Sequence, residues 1–158
     1  MDFALFSKDK HRPVAAVEAK WAETAFNAQR FLDDVLRLEC LRNEQGQHMT
    51  RYFLFSGKAE SIEEAFKYEV NAGKGRKIFL TCVLSRAWDE KKIDVTRCAA
   101  WLLDYYWSFA RTYTVEVPRS FRTTLVANEK AGSISTLIWK IGSTKNRKTF
   151  DPLSVQVQ

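Results

Sequence analysis

Apolar and polar residues near the amino end of the chain alternate in a pattern that predicts a β-hairpin. Two apolar stretches, residues 2–6 and Pro13–Trp21, flank a polar turn at residues 8–12. Such runs around a short polar loop are typical of paired antiparallel strands. Period two along the second strand places Glu18 and Lys20 on one face and leaves the other face wholly apolar.

The rest of the chain mixes helical and extended patterns. Apolar residues recur at helical spacing over residues 23–42, which predicts the first helix, with Asp33 and Arg37 as a favourable pair one turn apart. Residues 51–56 are almost entirely apolar, which favours a central strand covered on both faces. The other patterns predict helices at residues 61–70 (N-cap Ser61) and 94–112 (N-cap Asp94), and strands at residues 77–85, 114–117, 121–128 and 134–141.

This mixture predicts an α/β fold, with α+β as the alternative, in a single domain over residues 1–158. A hydrophobic fraction of 46%, with only three prolines and six glycines, excludes a disordered chain. No stretch approaches the ~18 apolar residues that a membrane span needs, so no membrane partner is expected. The cysteines, Cys40, Cys82 and Cys98, are far apart, which excludes a CxxC site and favours a reducing, cytoplasmic location.

Positive charge is concentrated in the basic, aromatic C-terminal portion at residues 94–150. The net charge is +6, and nearly the whole excess lies in residues 105–150. A basic region suits an anionic partner, nucleic acid first, although the same charge can serve solubility alone. The candidate nucleic-acid-binding residues are Arg111, Arg119, Arg122, Lys140, Lys145, Arg147 and Lys148.

Aromatic residues are frequent on the second long helix and at its exit. Trp101, Tyr105 and Phe109 share one helical face and are predicted to belong to the core. Tyr106 and Tyr113 are better placed for the surface, where the bases of a single strand can stack on rings beside arginine.

The candidate chemistry lies in the amino-terminal hairpin. If Phe6 pairs with Val14 across the turn, Asp2 falls opposite Glu18, with the two Cβ atoms about 4.5–5.5 Å apart. Two carboxylates that close repel each other unless a cation lies between them, and hard oxygen ligands suit Mg²⁺. Lys20, one step along the same face, would stabilise charge on a phosphate or orient a water. The alternative is an ordinary half-exposed hairpin whose charged face serves solubility.

Other catalytic chemistry has little support in the sequence. The motifs GxSxG, GxxxxGK[ST], HExxH and GxGxxG are absent. Both histidines, His11 and His48, fall in predicted turns, and the cysteines lie in apolar runs where thiols are usually buried and inert.

The ordered motifs in the first third of the chain resemble the PD-(D/E)XK nuclease superfamily, which has the restriction-endonuclease-like fold. The segment DFALFSKDKHRPVAAVEAKW carries an Asp, a hairpin and then a Glu-x-Lys motif. A helix with FLDDVLRLECL and a strand with RYFLFSGK follow in the order of a branch of small uncharacterised proteins of that superfamily. The strand TLIWKI resembles the end of that branch, and the clear match covers residues 2–58.

The resemblance implies a mixed β-sheet flanked by helices and a deoxyribonuclease that hydrolyses phosphodiester bonds in DNA with Mg²⁺ or Mn²⁺. Asp2 and Glu18 would ligate the metal, and Lys20 would assist the attack of water. Asp34 and Arg37 would support the site from the helix. A catalytically inactive nucleic-acid-binding protein and a protein-interaction subunit with the same fold are the alternatives.

One departure from the family's pattern concerns the edge of the sheet. The superfamily core begins with a helix and a strand ahead of the motif Asp, whereas here that Asp is residue 2. We expect either a shortened member or a sheet edge filled by the C-terminal strands or by a second subunit. An open edge beside an apolar hairpin favours pairing with another chain, so a homodimer is expected.

Overall fold

The computed structural model describes residues 3–6, 13–22, 26–41, 49–71, 75–143 and 148–150. Its α-helices are α1 (Ala28–Cys40), α2 (Ala59–Lys67), α3 (Phe79–Val83) and α4 (Ala100–Tyr113), and a 3₁₀ turn spans Val95–Arg97. Its strands are β1 (Phe3–Phe6), β2 (Pro13–Trp21), β3 (Thr50–Lys58), β4 (Glu69–Asn71), β5 (Arg76–Ile78), β6 (Glu90–Asp94), β7 (Val117–Pro118), β8 (Ser120–Ala131), β9 (Ile134–Ser143) and β10 (Thr149–Phe150). Among these residues, no helix has both the length and the apolar composition that a bilayer crossing requires.

Six strands form one mixed sheet in the order β1-β2-β3-β9-β8-β6. β2 and β3 are parallel, and every other neighbouring pair is antiparallel. A parallel pair needs a crossover connection, which α1 provides between β2 and β3. The predicted α/β class, with a mixed sheet flanked by helices, is therefore confirmed.

Helix α1 forms because its start is capped and one side of it is continuously apolar. The Asn27 side chain accepts a hydrogen bond from the Arg30 backbone N–H, which satisfies one of the free donors of the first turn. The buried face of α1 carries Phe31, Leu32, Val35, Leu36 and Leu38. This face packs against β2, β3 and β9 and joins the helix to the central strands.

The helices cover one face of the sheet. Along β3 the buried residues Arg51, Phe53 and Phe55 alternate with the partly exposed Tyr52 and Leu54. The Phe53 and Phe55 rings meet the Phe31 ring of α1 edge-on, with centroids 4.7 and 5.3 Å apart. The prediction that residues 51–56 are covered on both faces is therefore wrong, although β3 is a central strand.

β1 and β2 form the predicted hairpin, with one irregularity. The predicted register holds from Phe3, which lies opposite Val17, as far as Leu5. A bulge then sets Phe6 opposite Pro13, one residue earlier than predicted.

β1 lies at the edge of the six-stranded sheet. The predicted open edge beside the hairpin requires this position. The C-terminal strands β8 and β9 pair on the far side of β3, so within the described part of the chain they leave the outer edge of β1 uncovered. Phe3 and Leu5 on this strand are exposed. The expected homodimer stays a prediction.

The ends of β2 and β3 are held together closely. Ala22 donates its backbone N–H to the Ser56 carbonyl over 2.6 Å. A Cβ on Gly57 would lie 2.7 Å from the Ala22 Cβ and 3.1 Å from its backbone nitrogen. Only glycine allows this approach, which fixes the position where β2 leaves the sheet after Lys20 and Trp21.

Four predicted elements differ in the structure, one of them the strand predicted at residues 114–117, because Thr114 caps α4 and β7 begins only at Val117. Residues 77–85, predicted as a strand, contain the end of β5 and then α3, whose Phe79, Leu80 and Val83 are buried at helical spacing. Ser61 lies inside α2, which starts after Lys58 without a side-chain cap. Asp94 caps the 3₁₀ turn, and α4 starts six residues later.

Candidate functional site

The Glu18 carboxylate lies between the sheet and α1. Glu18 is 6% exposed, and the Nη2 group of Arg37 on α1 donates a hydrogen bond to its Oε1 atom. Its strand neighbour across the ladder is Phe53, which is fully buried beneath α1. The alternative in which this face of the hairpin is a solvent-facing surface is therefore wrong for Glu18.

Lys20 lies on the same face of β2 and contacts the same helix. Its ammonium group pairs with Oδ2 of Asp34, and Arg37 approaches Oδ1 of Asp34 at 3.6 Å. Two cations and two carboxylates thus alternate in the order Lys20, Asp34, Arg37, Glu18, which we call the charge cluster. It brings together four of the five residues predicted for the centre of the site.

Helix α4 also contributes to the charge cluster. Burial works against the charge of Arg37, but a hydrogen bond with the Tyr113 side chain and the Glu18 carboxylate outweigh it, so the pKa of Arg37 is raised above its ordinary value. Tyr113 was predicted as a surface aromatic, and it is exposed. Its position at the end of α4 therefore places it next to the charge cluster, to which α4 contributes in addition to β2 and α1.

Asp2, the remaining predicted metal ligand, lies outside the described residues. The last described pair of the hairpin is Phe3 and Val17. Within the described residues, no group of three or more His, Cys, Asp or Glu side chains could hold a metal ion. Glu18 supplies the hard oxygen atoms that Mg²⁺ prefers, so any site at this point needs a further donor.

Asp33 does not form the predicted pair with Arg37. Arg37 contacts Asp34 and Glu18, whereas Asp33 accepts a hydrogen bond from Nε2 of Gln29 over 2.6 Å. Gln29 also donates to the Tyr105 carbonyl at 3.1 Å and so ties α1 to α4. Burial raises the pKa of Asp33, and the Gln29 hydrogen bond only partly opposes it.

Replacing Asp33 with asparagine is expected to raise the melting temperature at pH 7. A carboxyl with a raised pKa in the folded state binds its proton more tightly there than in the unfolded chain, so it destabilises the fold once ionised. The advantage of Asp33→Asn should shrink as the pH falls from 7 toward the ordinary Asp pKa of about 3.9, because the raised pKa lets the folded wild-type protein take up this proton before the unfolded chain does. Thermal melts over this range measure it, with the exposed Asp104→Asn as control. A difference from wild type that does not vary with pH would contradict the assignment.

The candidate nucleic-acid-binding residues do not form one patch in the described structure. Arg119 and Lys148 lie together, since the Arg119 N–H donates to the Lys148 carbonyl at 2.7 Å. Arg122 pairs with Glu90 at 2.9 Å. Arg111 is exposed on the last turn of α4 in the helical layer, whereas Lys140 is exposed on β9, and Lys145 and Arg147 lie outside the described residues.

One aromatic prediction on α4, that of Tyr106, is reversed, and those of Trp101 and Tyr105 hold only in part. Tyr106 is fully buried, and burial raises its pKa. Trp101 and Tyr105 are only partly buried and border a surface cleft with Tyr68. Phe109 is buried as predicted. The residue spacing indicated which side chains share a face but not which face meets the core.

A cleft of about 610 Å³ opens beside the charge cluster, where β2 ends and α1 begins. We call it the Lys20 cleft, and its described lining is Ala19, Lys20, Trp21, Ala22, Phe26, Asn27, Arg30, Phe55 and Ala65. Arg30 and Phe26 were not among the predicted site residues. Arg30 precedes Asp34 by one helical turn, and this spacing is the signal that could have placed it near Lys20.

Comparison of the chain with protein-family models, with curated proteins and with solved structures found no match. The resemblance to the PD-(D/E)XK superfamily therefore rests on the order of the motifs in residues 2–58 alone.

Proposed function

We propose that this chain is a Mg²⁺-dependent nuclease of the PD-(D/E)XK type that hydrolyses phosphodiester bonds in DNA. The observation that carries the proposal is the charge cluster. Glu18 and Lys20 project from one strand toward one helix, where each contacts a side chain that the resemblance had assigned to the site, Arg37 or Asp34. Buried or partly buried charges are costly, so four of them at one junction are more typical of a functional site than of a scaffold.

Asp2 and Glu18 are the residues that would hold Mg²⁺ or Mn²⁺, and the ion when bound would activate a water molecule and neutralise phosphate charge. Lys20 stabilises negative charge that develops on the phosphate. Asp34 and Arg37 are positioning residues, because their ion pairs hold the Lys20 and Glu18 side chains on the α1 side of the sheet. The exposed basic residues, Arg119 and Lys148 among them, contact the DNA backbone outside the site.

The Lys20→Ala variant is expected to lose about 100-fold or more of its nicking activity on supercoiled plasmid in Mg²⁺ or Mn²⁺. Its circular dichroism should match wild type, while its melting temperature should fall, because Asp34 is only 14% exposed and keeps Arg37, at 3.6 Å, as its remaining cation. Lys67→Ala, an exposed lysine at the end of α2, is the matched control and should cleave normally. Cleavage that persists in Lys20→Ala would overturn the assigned mechanism.

A calorimetric titration separates metal binding from hydrolysis. Wild-type protein is expected to bind Mn²⁺ with measurable heat, and Glu18→Gln, which removes the charge and keeps the shape, is expected to bind it far more weakly. Equal binding by the two proteins would place the ion elsewhere.

A second candidate function is nucleic-acid binding without hydrolysis. It is favoured by the ion pairs themselves, because Asp34 and Arg37 already neutralise the two groups that catalysis would use. This protein would bind DNA in EDTA with a salt slope near −0.9 per phosphate contact and would show no metal-dependent cleavage.

A further inference from the structure

One face of the six-stranded sheet has no helical layer in the described part of the chain. α1 and α2 pack on the side of the sheet that carries Phe53 and Trp139, and α3 and α4 pack on α1. Parallel strands such as β2 and β3 are usually covered on both faces. The second face of this pair is therefore a surface that needs a partner.

The strand register gathers apolar side chains on this uncovered face. Phe3 of β1 lies opposite Val17 of β2. Ala19 lies opposite Leu54 of β3, which in turn lies opposite Ile138 of β9. Paired residues share a face of the sheet, and so do residues two apart along one strand. Six apolar residues on this face make up what we call the sheet patch: Phe3, Leu5, Val17, Trp21, Leu54 and Ile138.

The sheet patch leaves a large apolar area in water. Phe3 is 60% exposed, and Leu5 and Trp21 are each 56% exposed. These three residues alone expose roughly 400 Å², since a whole aromatic side chain offers about 150–250 Å². The largest apolar patch of a typical monomer measures about 300–600 Å² and often has a function. The sheet patch is therefore of the size that marks an interaction surface.

The distribution of charge on this face favours a protein partner. The sheet patch is uncharged, and the cations Lys140, Arg122 and Lys92 lie to one side of it on β9, β8 and β6. A single-stranded nucleic acid needs cations beside the rings on which its bases stack, but Phe3 and Trp21 lie on β1 and β2, the strands farthest from β8 and β6. An apolar centre with charges at its border is the composition of a protein–protein interface.

The dimensions of the face match what a stable dimer needs. Six strands about 4.8 Å apart, with nine residues in each of β2 and β3, give a face of about 24 Å by 30 Å, or roughly 700 Å². A standard interface takes about 800 Å² from each partner. Two copies related by a two-fold axis present the same surface to each other, so an uncharged face is complementary to itself. A second copy of this chain is therefore large enough to cover the patch and has the right composition.

We infer that the sheet patch is the interface of a homodimer in which two copies pack their uncovered faces together as a β-sandwich. Leu54 lies near the centre of this interface, two strands away from the β1 edge. The arrangement therefore differs from a dimer formed by pairing two β1 edges. It does not rest on the proposed hydrolysis, because Glu18 and Lys20 of the charge cluster point to the opposite face of β2.

Sedimentation velocity of the full chain at about 1–100 μM tests the inference, and we expect a species with twice the mass of one chain. Leu54→Lys places two like charges at the centre of the interface and should weaken the dimer about 100-fold or more. One copy should still fold, because Leu54 is partly exposed in it. Ile78→Lys is the matched control, since Ile78 is 37% exposed on β5, outside the six-stranded sheet. This control should dimerise like wild type.

A second variant covers the case in which Leu54→Lys loses its circular dichroism signal. Trp21 is 56% exposed at the end of β2, so Trp21→Ala leaves the packing of one copy intact. A tryptophan that anchors an interface costs about 2 kcal/mol or more when truncated, so the dimer should weaken roughly 30-fold. Trp88→Ala is its control, since Trp88 is 64% exposed and lies outside the strands of the sheet.

A wild-type chain that stays monomeric over the whole concentration range would overturn the inference. A folded Leu54→Lys that dimerises like wild type would do the same and would assign the dimer to the β1 edge or to another surface. If Leu54→Lys does not fold, equal dissociation constants for Trp21→Ala and Trp88→Ala would contradict the interface.

Two outcomes separate this inference from other partners and from the proposed function. A monomeric wild type that binds dT12 in EDTA, with the affinity lost in Trp21→Ala, would assign the face to single-stranded DNA and overturn the inference. A dimer that Leu54→Lys dissociates and that cleaves no DNA would support the inference while the proposed hydrolysis fails.

Discussion

Replacing Arg51 with methionine is expected to lower the free energy of unfolding by about 3–5 kcal/mol, the cost of breaking a buried charged network. Arg51 is 2% exposed on β3 and donates to the Leu38 and Glu39 carbonyls at the end of α1. It also donates to Oγ of Ser143 at 2.9 Å, which in turn donates to the Glu39 carboxylate at 2.7 Å. Glu39 is fully buried, so removing the guanidinium leaves its negative charge in the interior.

Urea denaturation of Arg51→Met measures the loss, with Arg111→Met as the control because Arg111 is exposed on α4. Adding Glu39→Gln to Arg51→Met should recover about 1 kcal/mol or more, since the two groups share one network. A loss below about 1 kcal/mol in Arg51→Met, or no recovery in the double variant, would show that the network does not stabilise the junction of α1 with β3 and β9.

Replacing Arg37 with alanine is expected to lower the free energy of unfolding by about 2–3 kcal/mol. This is less than the loss for a fully buried ion pair, because the arginine is 35% exposed. Its partner Glu18 has only 8% of its side chain exposed, so the carboxylate loses a cation where water does not replace it.

The chain offers a matched control in Arg122, which is 34% exposed and pairs with Glu90, itself 50% exposed. Arg122→Ala is expected to cost less than about 1 kcal/mol, because water solvates the released carboxylate. Because the two arginines are almost equally exposed, the difference between the two losses of stability measures the effect of burying the acidic partner. Equal losses in the two variants would contradict the buried state of Glu18. A double-mutant cycle with Glu18→Gln should give a coupling of about 1 kcal/mol or more for Arg37.

Strictly periodic segments were predictable from the sequence. Period two in β2 placed Glu18 and Lys20 on one face, and the short turn set the register of β1 as far as Leu5. Helical spacing identified α1 because its apolar face is continuous from Ala28 to Leu38. In these segments local preference and tertiary packing agree, so the pattern was sufficient.

The pattern of apolar residues was ambiguous in segments whose secondary structure depends on tertiary packing. The apolar run at residues 77–85 satisfies both a strand and a helix, and contact of Phe79 with Phe26 and Tyr105 accompanies the helix of α3. The charged strand β6 has no apolar alternation, and it forms by pairing with β8. Along β3, composition could not indicate that the described helices cover the Phe53 side alone.

The candidate site was predicted only in part for a similar reason. Asp34 and Arg37 came from the resemblance, but their partners Lys20 and Glu18 depend on how closely α1 approaches β2. Trp21 and Arg30 border one cleft because β2 ends and α1 starts at the same place. Contacts between residues far apart in sequence carry no local signal.

The strand order has a consequence for the nascent chain. β3 meets β2 soon after it is made, but its other neighbour is β9, whose Thr136 lies 80 positions beyond Ser56. Until those residues leave the ribosome, one edge of β3 exposes unpaired backbone N–H and C=O groups beside large aromatic side chains. Such an edge can pair with a strand of another chain and start aggregation. Polypeptides stalled before residue 134 are therefore the species that a chaperone must shield.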